Sequence, residues 1–154
     1  MTGDPKVIEA LNEALTAELT AVNQYFIASK MAQNWGYAKL AKEYYDESID
    51  EMKHAEALID RILFLDGTPN MQRLFPLEVG ETIVEQFQLN YEMEQRAVQR
   101  YRQGSALCTE CGDPGTRVIL EGFLASEEEH VDEAEAELAN LEQLGEQLWL
   151  AKWV

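Results

Sequence analysis

A pattern of glutamate and histidine suited to metal binding occurs twice in this chain. Its first copy is Glu18 with Glu51 and His54, and its second copy, at equal separations, is Glu94 with Glu127 and His130. The chain has only two histidines, and both belong to the pattern. Residues three apart share one face of a helix, so each Glu-x-x-His can direct a carboxylate and an imidazole at one point. Four carboxylates and two imidazoles together could hold two metal ions.

The ordinary interpretation of a glutamate-rich helix is a solvated surface, but the neighbours of these glutamates are apolar. At about 100° per residue, the faces of Glu18 and Glu51 carry mostly apolar residues: Leu11, Leu15, Val22, Leu40, Tyr44, Leu58, Ile62 and Leu65. A buried carboxylate without a partner is costly, and two divalent ions would neutralise all four. Mixed oxygen and nitrogen ligands favour iron or manganese over metals that prefer thiolates.

Two tyrosines extend the repeat. Tyr25 lies two helical turns after Glu18 on the same face, and Tyr101 stands in the same relation to Glu94. A buried tyrosine can be a core residue whose hydroxyl has found an acceptor. Alternatively, each hydroxyl orients a ligand carboxylate or donates an electron, and the pattern leaves both interpretations open.

Helices must position these residues, and the chain carries the signals that begin and end them. Asp4-Pro5 and Asp113-Pro114 each read as an N-cap followed by a first-turn proline, and Thr82 with Glu85 reads as a capping box. Gly67, followed by Pro69, is expected to end the second helix. The predicted helices cover about 5–34, 37–65, 82–109, 114–144 and a short 146–152, and no strand signal competes.

The connections between helices predict the topology. The joints near Gly36 and Gly112 are short, so the first and second helices are expected to be antiparallel, as are the third and fourth. The segment 67–81 is long enough to run the length of the bundle. These features predict an all-α, up-down-down-up four-helix bundle with a short C-terminal fifth helix, in a single domain over 1–154.

Charge and composition exclude several classes of protein. The formal net charge of −17 argues against nucleic acid as a partner and against a basic membrane anchor. Neither a signal-peptide pattern nor an apolar run of roughly 18 residues is present, so the predicted compartment is the cytoplasm. The lone pair Cys108 and Cys111 is expected to be reduced and incidental, or else to have a redox or metal side role.

Several segments resemble bacterioferritin, the haem-containing branch of the ferritin superfamily. The resemblance extends over almost the whole chain, with similar segments at 11–12, 23–26, 61–65 and 127–130. Its most specific run is Glu47-Ser48-Ile49-Asp50-Glu51-Met52-Lys53-His54-Ala55.

The resemblance implies a role for each residue of the repeated pattern. Glu18 and Glu94 are terminal ligands, Glu51 and Glu127 bridge two irons, and His54 and His130 each bind one. It further implies a ferritin-like fold, and a ferroxidase that oxidises Fe(II) with O2 or H2O2 and stores ferric mineral in a 24-subunit cage. A bacterioferritin-associated ferredoxin is the implied electron donor.

Met52 points away from the metal site. It lies roughly 130° from the direction of Glu51 and His54, on a side shared with Ile59 and Leu63. This apolar stripe by itself predicts a dimer contact. The resemblance instead makes Met52 the axial ligand of a haem b on a two-fold axis, in a pocket lined by Leu19, Asn23, Phe26, Tyr45 and Ile49.

Some positions depart from the family pattern. Asp46 stands where family members often carry a histidine, so an inner-surface iron site at Asp46 and Asp50 would be made of carboxylates alone. After His130, the run 131–135 replaces the bulkier apolar and aromatic residues usual there.

Other functions share parts of the pattern. A rubrerythrin-like peroxidase or manganese catalase also uses paired Glu-x-x-His, but the rubrerythrin-like site needs a further glutamate where this chain has Ala97. The chain also lacks a rubredoxin-type set of cysteines. A non-catalytic structural cage is the third alternative, although the net charge argues against coating DNA.

Overall fold

The computed structural model describes residues 1–154 and contains five helices and no strand. The helices are α1 (Pro5–Asn34), α2 (Ala38–Phe64), α3 (Ile83–Glu110), α4 (Pro114–Leu144) and α5 (Glu146–Ala151). Helix α1 packs on α2 and α3 packs on α4, while α1 also contacts α3 and α5 contacts α4. The predicted up-down-down-up bundle with a short fifth helix is therefore confirmed, and the observed helix ends lie within one residue of those expected. None of the five helices combines the length and apolar character that a membrane span requires.

Side chains cap the helix starts much as the sequence predicts. The carboxylate of Asp4 accepts a hydrogen bond from the Lys6 backbone N–H at 2.8 Å. The Thr82 hydroxyl accepts from the Glu85 N–H at 3.1 Å. The return bond of the capping box is displaced by one residue, because the Glu85 carboxylate accepts from the Glu81 N–H at 3.2 Å.

The end of α2 differs from the prediction that Gly67 terminates the helix. Asp66, with φ of 61°, takes the left-handed conformation instead. The Gly67 N–H donates to the Ile62 carbonyl at 2.9 Å, which completes a Schellman-type end one residue later. A Cβ on Gly67 would lie 2.8 Å from Ile8 Cγ2. Glycine is therefore required here for the close approach of α1.

The bundle core consists of two apolar clusters. One contains Leu58, Tyr101 and Leu120, and the other contains Leu40 and Phe87. On α2 and α3, the residues of one cluster end before the repeated glutamates and those of the other begin after them. The buried carboxylates therefore form a polar layer across the middle of the bundle.

Candidate dinuclear metal centre

All six residues predicted from the repeated pattern meet in this polar layer. Helices α1 and α3 each supply one glutamate, while α2 and α4 each supply a glutamate and a histidine: Glu18, Glu94, Glu51 with His54, and Glu127 with His130. Each glutamate is at most 3 % exposed. The four helices thus direct their ligands at one point.

Glu51 and Glu127 each face both histidines. Glu51 Oε2 lies 3.4 Å from His54 Nδ1, and Glu51 Oε1 lies 3.9 Å from His130 Nδ1. Glu127 Oε1 and Oε2 each lie 3.5 Å from one of the same two nitrogens. Each carboxylate therefore divides its two oxygens between two positions, as a bridge between two cations requires.

Glu18 and Glu94 each face a single histidine. Glu18 Oε1 lies 3.7 Å from His54 Nδ1, and Glu94 Oε2 lies 3.7 Å from His130 Nδ1. The arrangement has an approximate two-fold symmetry that follows the sequence repeat. It supplies two neighbouring positions, each with one imidazole, one carboxylate of its own and two shared carboxylates.

The polar atoms of this layer fit a pair of divalent cations. Several buried atoms have no hydrogen-bond partner in the protein: Glu18 Oε2, Glu51 Oε1, both carboxylate oxygens of Glu127, His54 Nδ1 and His130 Nδ1. Buried polar atoms are normally paired, and leaving so many unpaired in one place is costly. All of them are ligand atoms that iron or manganese accepts.

The two tyrosines bond across the repeat. The Tyr25 hydroxyl donates to Glu94, and the Tyr101 hydroxyl donates to Glu18. Burial, and then the charge of the accepting glutamate, raises the pKa of both tyrosines well above the ordinary value. Each hydroxyl therefore keeps its proton and fixes the orientation of a terminal carboxylate.

Glu47 is a further residue of this layer that sequence reasoning did not assign. Its Oε2 lies 3.4 Å from Nε2 of His130, on the side of the ring opposite the nitrogen that faces Glu51 and Glu127. Burial raises the pKa of Glu47 to about 7. Its position, one turn before Glu51 on the same face of α2, is the signal that could have indicated it. A carboxylate here can orient the imidazole.

The pKa values of the ligands show how protons occupy the layer. Burial raises the pKa of Glu51 and of Glu94 well above the ordinary range, and nearby carboxylates add to the effect. Burial alone would lower the pKa of His54, but Glu127 and Glu18 outweigh it and raise it to about 9. The pKa of His130 rises to about 11 in the same way. At neutral pH the imidazoles therefore carry protons.

A cation must displace those protons, so binding is expected to depend on pH. Because the histidine pKa values are raised, both rings are protonated at neutral pH, and only the neutral ring can bind a metal. We expect the affinity of the metal-free protein for Co(II) to increase from about pH 6 to about pH 8, with protons released. Calorimetric titration in buffers of different ionisation enthalpy measures the release. Binding without proton release would contradict this assignment.

The residues of the predicted haem pocket lie mostly on the exposed outer face of α1 and α2. Met52 is 46 % exposed, and Phe26, Tyr45 and Ile49 are exposed to a similar degree. The rings of Phe26 and Tyr45 contact each other, with centroids 6.3 Å apart. Asn23 is also on the surface, where its amide donates to the Leu19 carbonyl at 2.8 Å. Leu19 itself is buried in the core between the helices.

The remaining predicted residues have other surroundings. Asp46 pairs with Lys42 at 2.6 Å, and Asp50 lies 3.8 Å from Lys53. Neither aspartate belongs to a group of three or more potential metal ligands. Cys108 is a free thiol, and burial raises its pKa to about 11. A thiol of this kind is typical of a structural, unreactive cysteine.

Comparison with known proteins agrees with the fold and with the resemblance. The chain matches the family "Ferritin-like domain" over residues 8–144. It is 51 % identical to a bacterioferritin of Mycobacterium leprae over 154 residues, which cover all of this chain and 97 % of the relative. It is also 50 % identical to a Streptomyces coelicolor bacterioferritin, with 98 % of this chain and 90 % of the relative covered.

Solved structures give the same result. Mycobacterium tuberculosis bacterioferritin superimposes with a TM-score of 0.98 at 48 % identity, covering all of this chain and 97 % of the other. Rhodobacter capsulatus bacterioferritin, solved with a metal-free dinuclear site and a haem iron in a crystallographic special position, gives a TM-score of 0.98 at 42 % identity. It covers all of this chain and 96 % of the other. With its fold, its dinuclear layer and these full-length matches, the chain belongs to the bacterioferritin family.

Proposed function

We propose that this protein stores iron and is a ferroxidase, with Fe(II) as its substrate at the dinuclear centre. Two Fe(II) ions each lose one electron to one oxidant molecule. With oxygen the balance is 2 Fe(II) + O2 + 2 H⁺ → 2 Fe(III) + H2O2. With peroxide it is 2 Fe(II) + H2O2 + 2 H⁺ → 2 Fe(III) + 2 H2O. The ferric product is stored as mineral.

The observation that carries this proposal is the division of the Glu51 and Glu127 oxygens between two imidazoles. Two bridging carboxylates hold two ions side by side, so that both can give an electron to the same oxidant molecule. Tyr25 and Tyr101 keep the terminal carboxylates in place while charge changes at the centre. Ferric ions interact more strongly with the carboxylates than ferrous ions do, so the layer favours the oxidised product.

Storage requires a shell of many copies, and we propose the 24-subunit cage of the family. Membership of the bacterioferritin family supports storage, and the surface of the single chain supports assembly. Large apolar side chains are exposed along α2, the crossover segment and the C-terminal end, such as Leu63, Phe64, Met71, Leu148 and Val154. Apolar groups exposed on several faces indicate interfaces with other chains.

We also propose that haem b binds between two copies of the chain at Met52. The thioether lies within an exposed apolar stripe with Phe26, Tyr45 and Ile49, which fits a flat apolar ring held by a sulfur ligand. The haem iron of the Rhodobacter capsulatus relative occupies a crystallographic special position, and an atom so placed is shared equally by symmetry-related chains. Haem bound here would supply a one-electron carrier, with a bacterioferritin-associated ferredoxin as the proposed donor.

The experiment that tests the proposal measures three quantities on one preparation: the Fe(II) oxidised in the fast phase, the oxidant consumed with it, and the native mass. We expect two Fe(II) ions per chain to be consumed in the fast phase of oxidation, together with oxygen or peroxide. We expect a native mass of about 420 kDa for 24 copies of the 17.5 kDa chain. Catalytic turnover of peroxide by an assembly of a few subunits would instead favour the rubrerythrin-like or manganese-catalase alternative. A cage that assembles but oxidises no Fe(II) would favour the structural one.

A further inference from the structure

Two separate cavities reach the dinuclear layer from solvent, and both include Glu94. The first, which we call the arginine opening, has a volume of about 380 Å³ and is bounded at its mouth by Phe75, Arg96 and Arg100. The second, which we call the acidic opening, has a volume of about 100 Å³ and is lined by Glu43, Glu47, Glu133 and Glu137. Apart from the carboxylates of the dinuclear layer, the charged residues of the arginine opening are Arg96, Arg100 and Glu78, whereas those of the acidic opening are its four glutamates and His130.

The arginine opening is built by the crossover segment lying over α1 and α3. The Phe75 N–H donates to the Thr20 hydroxyl at 2.9 Å, and the Glu78 N–H to the Gln24 side-chain carbonyl at 3.3 Å. These bonds hold the segment as a roof over the cavity. The small side chains of Ala17, Ala21 and Ala97 leave the space beneath it.

Positive charge predominates at the mouth of the arginine opening. Arg96 forms an ion pair with Glu78 at 3.0 Å. Arg100 forms no such pair, so its positive charge at the mouth is not compensated. The guanidinium of Arg100 lies over the ring of Phe75, 5.6 Å from its centroid. A divalent cation is repelled by this mouth, whereas an uncharged molecule the size of O2 or H2O2 is not.

The acidic opening has the opposite character. Glu137 pairs with Lys152 at 2.5 Å and Glu47 faces His130 at 3.4 Å, whereas Glu43 and Glu133 form no ion pair. Its inner end is His130 with Glu94.

Two buried polar side chains line the acidic opening. The Tyr44 hydroxyl and the Asn90 Nδ2 line it, are more than nine-tenths buried, and have no hydrogen-bond partner in the protein. The Gln24 amide donates to the Asn90 Oδ1 at 3.1 Å, which leaves the Asn90 amide nitrogen free for the cavity. The cavity has space for roughly three water molecules. An acidic passage with polar walls and room for water suits a hydrated cation.

We propose that the two reactants reach the centre by different routes, Fe(II) through the acidic opening and the oxidant through the arginine opening. The inference rests on the proposed ferroxidase function. A passage lined by one sign of charge raises the association rate of the oppositely charged reactant by 10- to 1000-fold. Separate routes also leave the oxidant's path clear while cations fill the other.

Two matched substitutions test the routes. Ala97 lines the arginine opening and Ala134 lines the acidic opening, both half-buried on helices. Leucine at either position narrows one opening without changing charge. Two rates are measured: association of Co(II) with the metal-free cage, and oxidation after Fe(II) is loaded without oxygen and then mixed with H2O2.

We expect Ala134→Leu to slow Co(II) association by about tenfold and to leave the peroxide step unchanged. Ala97→Leu is expected to do the reverse. If one variant slows both steps, or if the assignments are exchanged, the proposal is wrong. Circular dichroism and native mass identify any variant that does not fold.

Charge substitutions test the same routes without adding bulk. Glu133→Gln is expected to slow Co(II) association at low ionic strength and to make the association rate less dependent on salt. In Arg100→Gln, the rate of Co(II) association is expected to equal or exceed that of the wild type. Slower association in Arg100→Gln alone would overturn the proposal. If the wild type binds fewer than two Co(II) per chain, the proposed function fails. If the wild type binds two Co(II) per chain and every variant reacts at the wild-type rates, the proposal of separate routes is wrong and the proposed function stands.

Discussion

Replacing Glu51 by glutamine is expected to reduce the fast oxidation of Fe(II) by at least about 100-fold, which is the upper end of the loss seen for residues that merely support metal ligands. The substitution keeps the size of the side chain and removes its charge. Glu51 is one of the two carboxylates whose oxygens reach both histidines. An amide cannot bridge two cations in this way. The rate is measured by stopped flow after mixing the metal-free cage with Fe(II) and oxygen.

Glu56→Gln is the matched control, because Glu56 is an exposed glutamate on the same helix. We expect the control to oxidise Fe(II) at the wild-type rate and both variants to assemble.

His130→Ala is expected to lose the fast phase as Glu51→Gln does. Wild-type kinetics in both Glu51→Gln and His130→Ala would contradict the dinuclear assignment.

Met52→Leu is expected to abolish haem binding while Fe(II) oxidation continues. Leucine has nearly the volume of methionine and is equally apolar, so the exposed stripe keeps its shape and loses only the sulfur. Met52 lies on the opposite side of α2 from His54, so the dinuclear layer is not disturbed. Visible spectra of cages expressed with added haem precursor measure the haem content.

Met71→Leu provides the comparison for this experiment. Met71 is a similarly exposed methionine on the crossover segment, away from the stripe. Its replacement is expected to leave the haem bands unchanged. Haem retained at wild-type level in Met52→Leu would show that the sulfur of Met52 is not the ligand.

The convergence of the six Glu and His side chains was largely predictable because helical spacing determines which side chains share a face. The separation of Glu51 from His54 fixes their common direction, and the same separation in the second copy repeats it on α4. Helix length and the short joints at Gly36 and Gly112 then decide which helices are antiparallel. Long periodic helices leave few alternatives at each of these steps.

Contacts between helices were less accessible from sequence. The position of Glu47 allowed a role at the centre, but only the packing of α2 against α4 brings it to His130. The crossed bonds of Tyr25 and Tyr101 depend on the distance between α1 and α3, which no local pattern specifies. From the sequence, Ala97 was notable only because it stands where a rubrerythrin-like site has a glutamate. Its place in the lining of the arginine opening depends on the crossover segment, which covers it.

The crossed tyrosine bonds also make the two halves of the chain depend on each other. Neither the hairpin of α1 and α2 nor that of α3 and α4 contains a complete centre, since each provides one terminal carboxylate and takes its orienting hydroxyl from the other. The two hairpins are thus arranged as the two copies of a two-fold homodimer would be. A hairpin with one Glu, one Glu-x-x-His and one tyrosine would therefore complete two metal sites by pairing with a second copy of itself, and here the crossover segment joins the two halves in one chain.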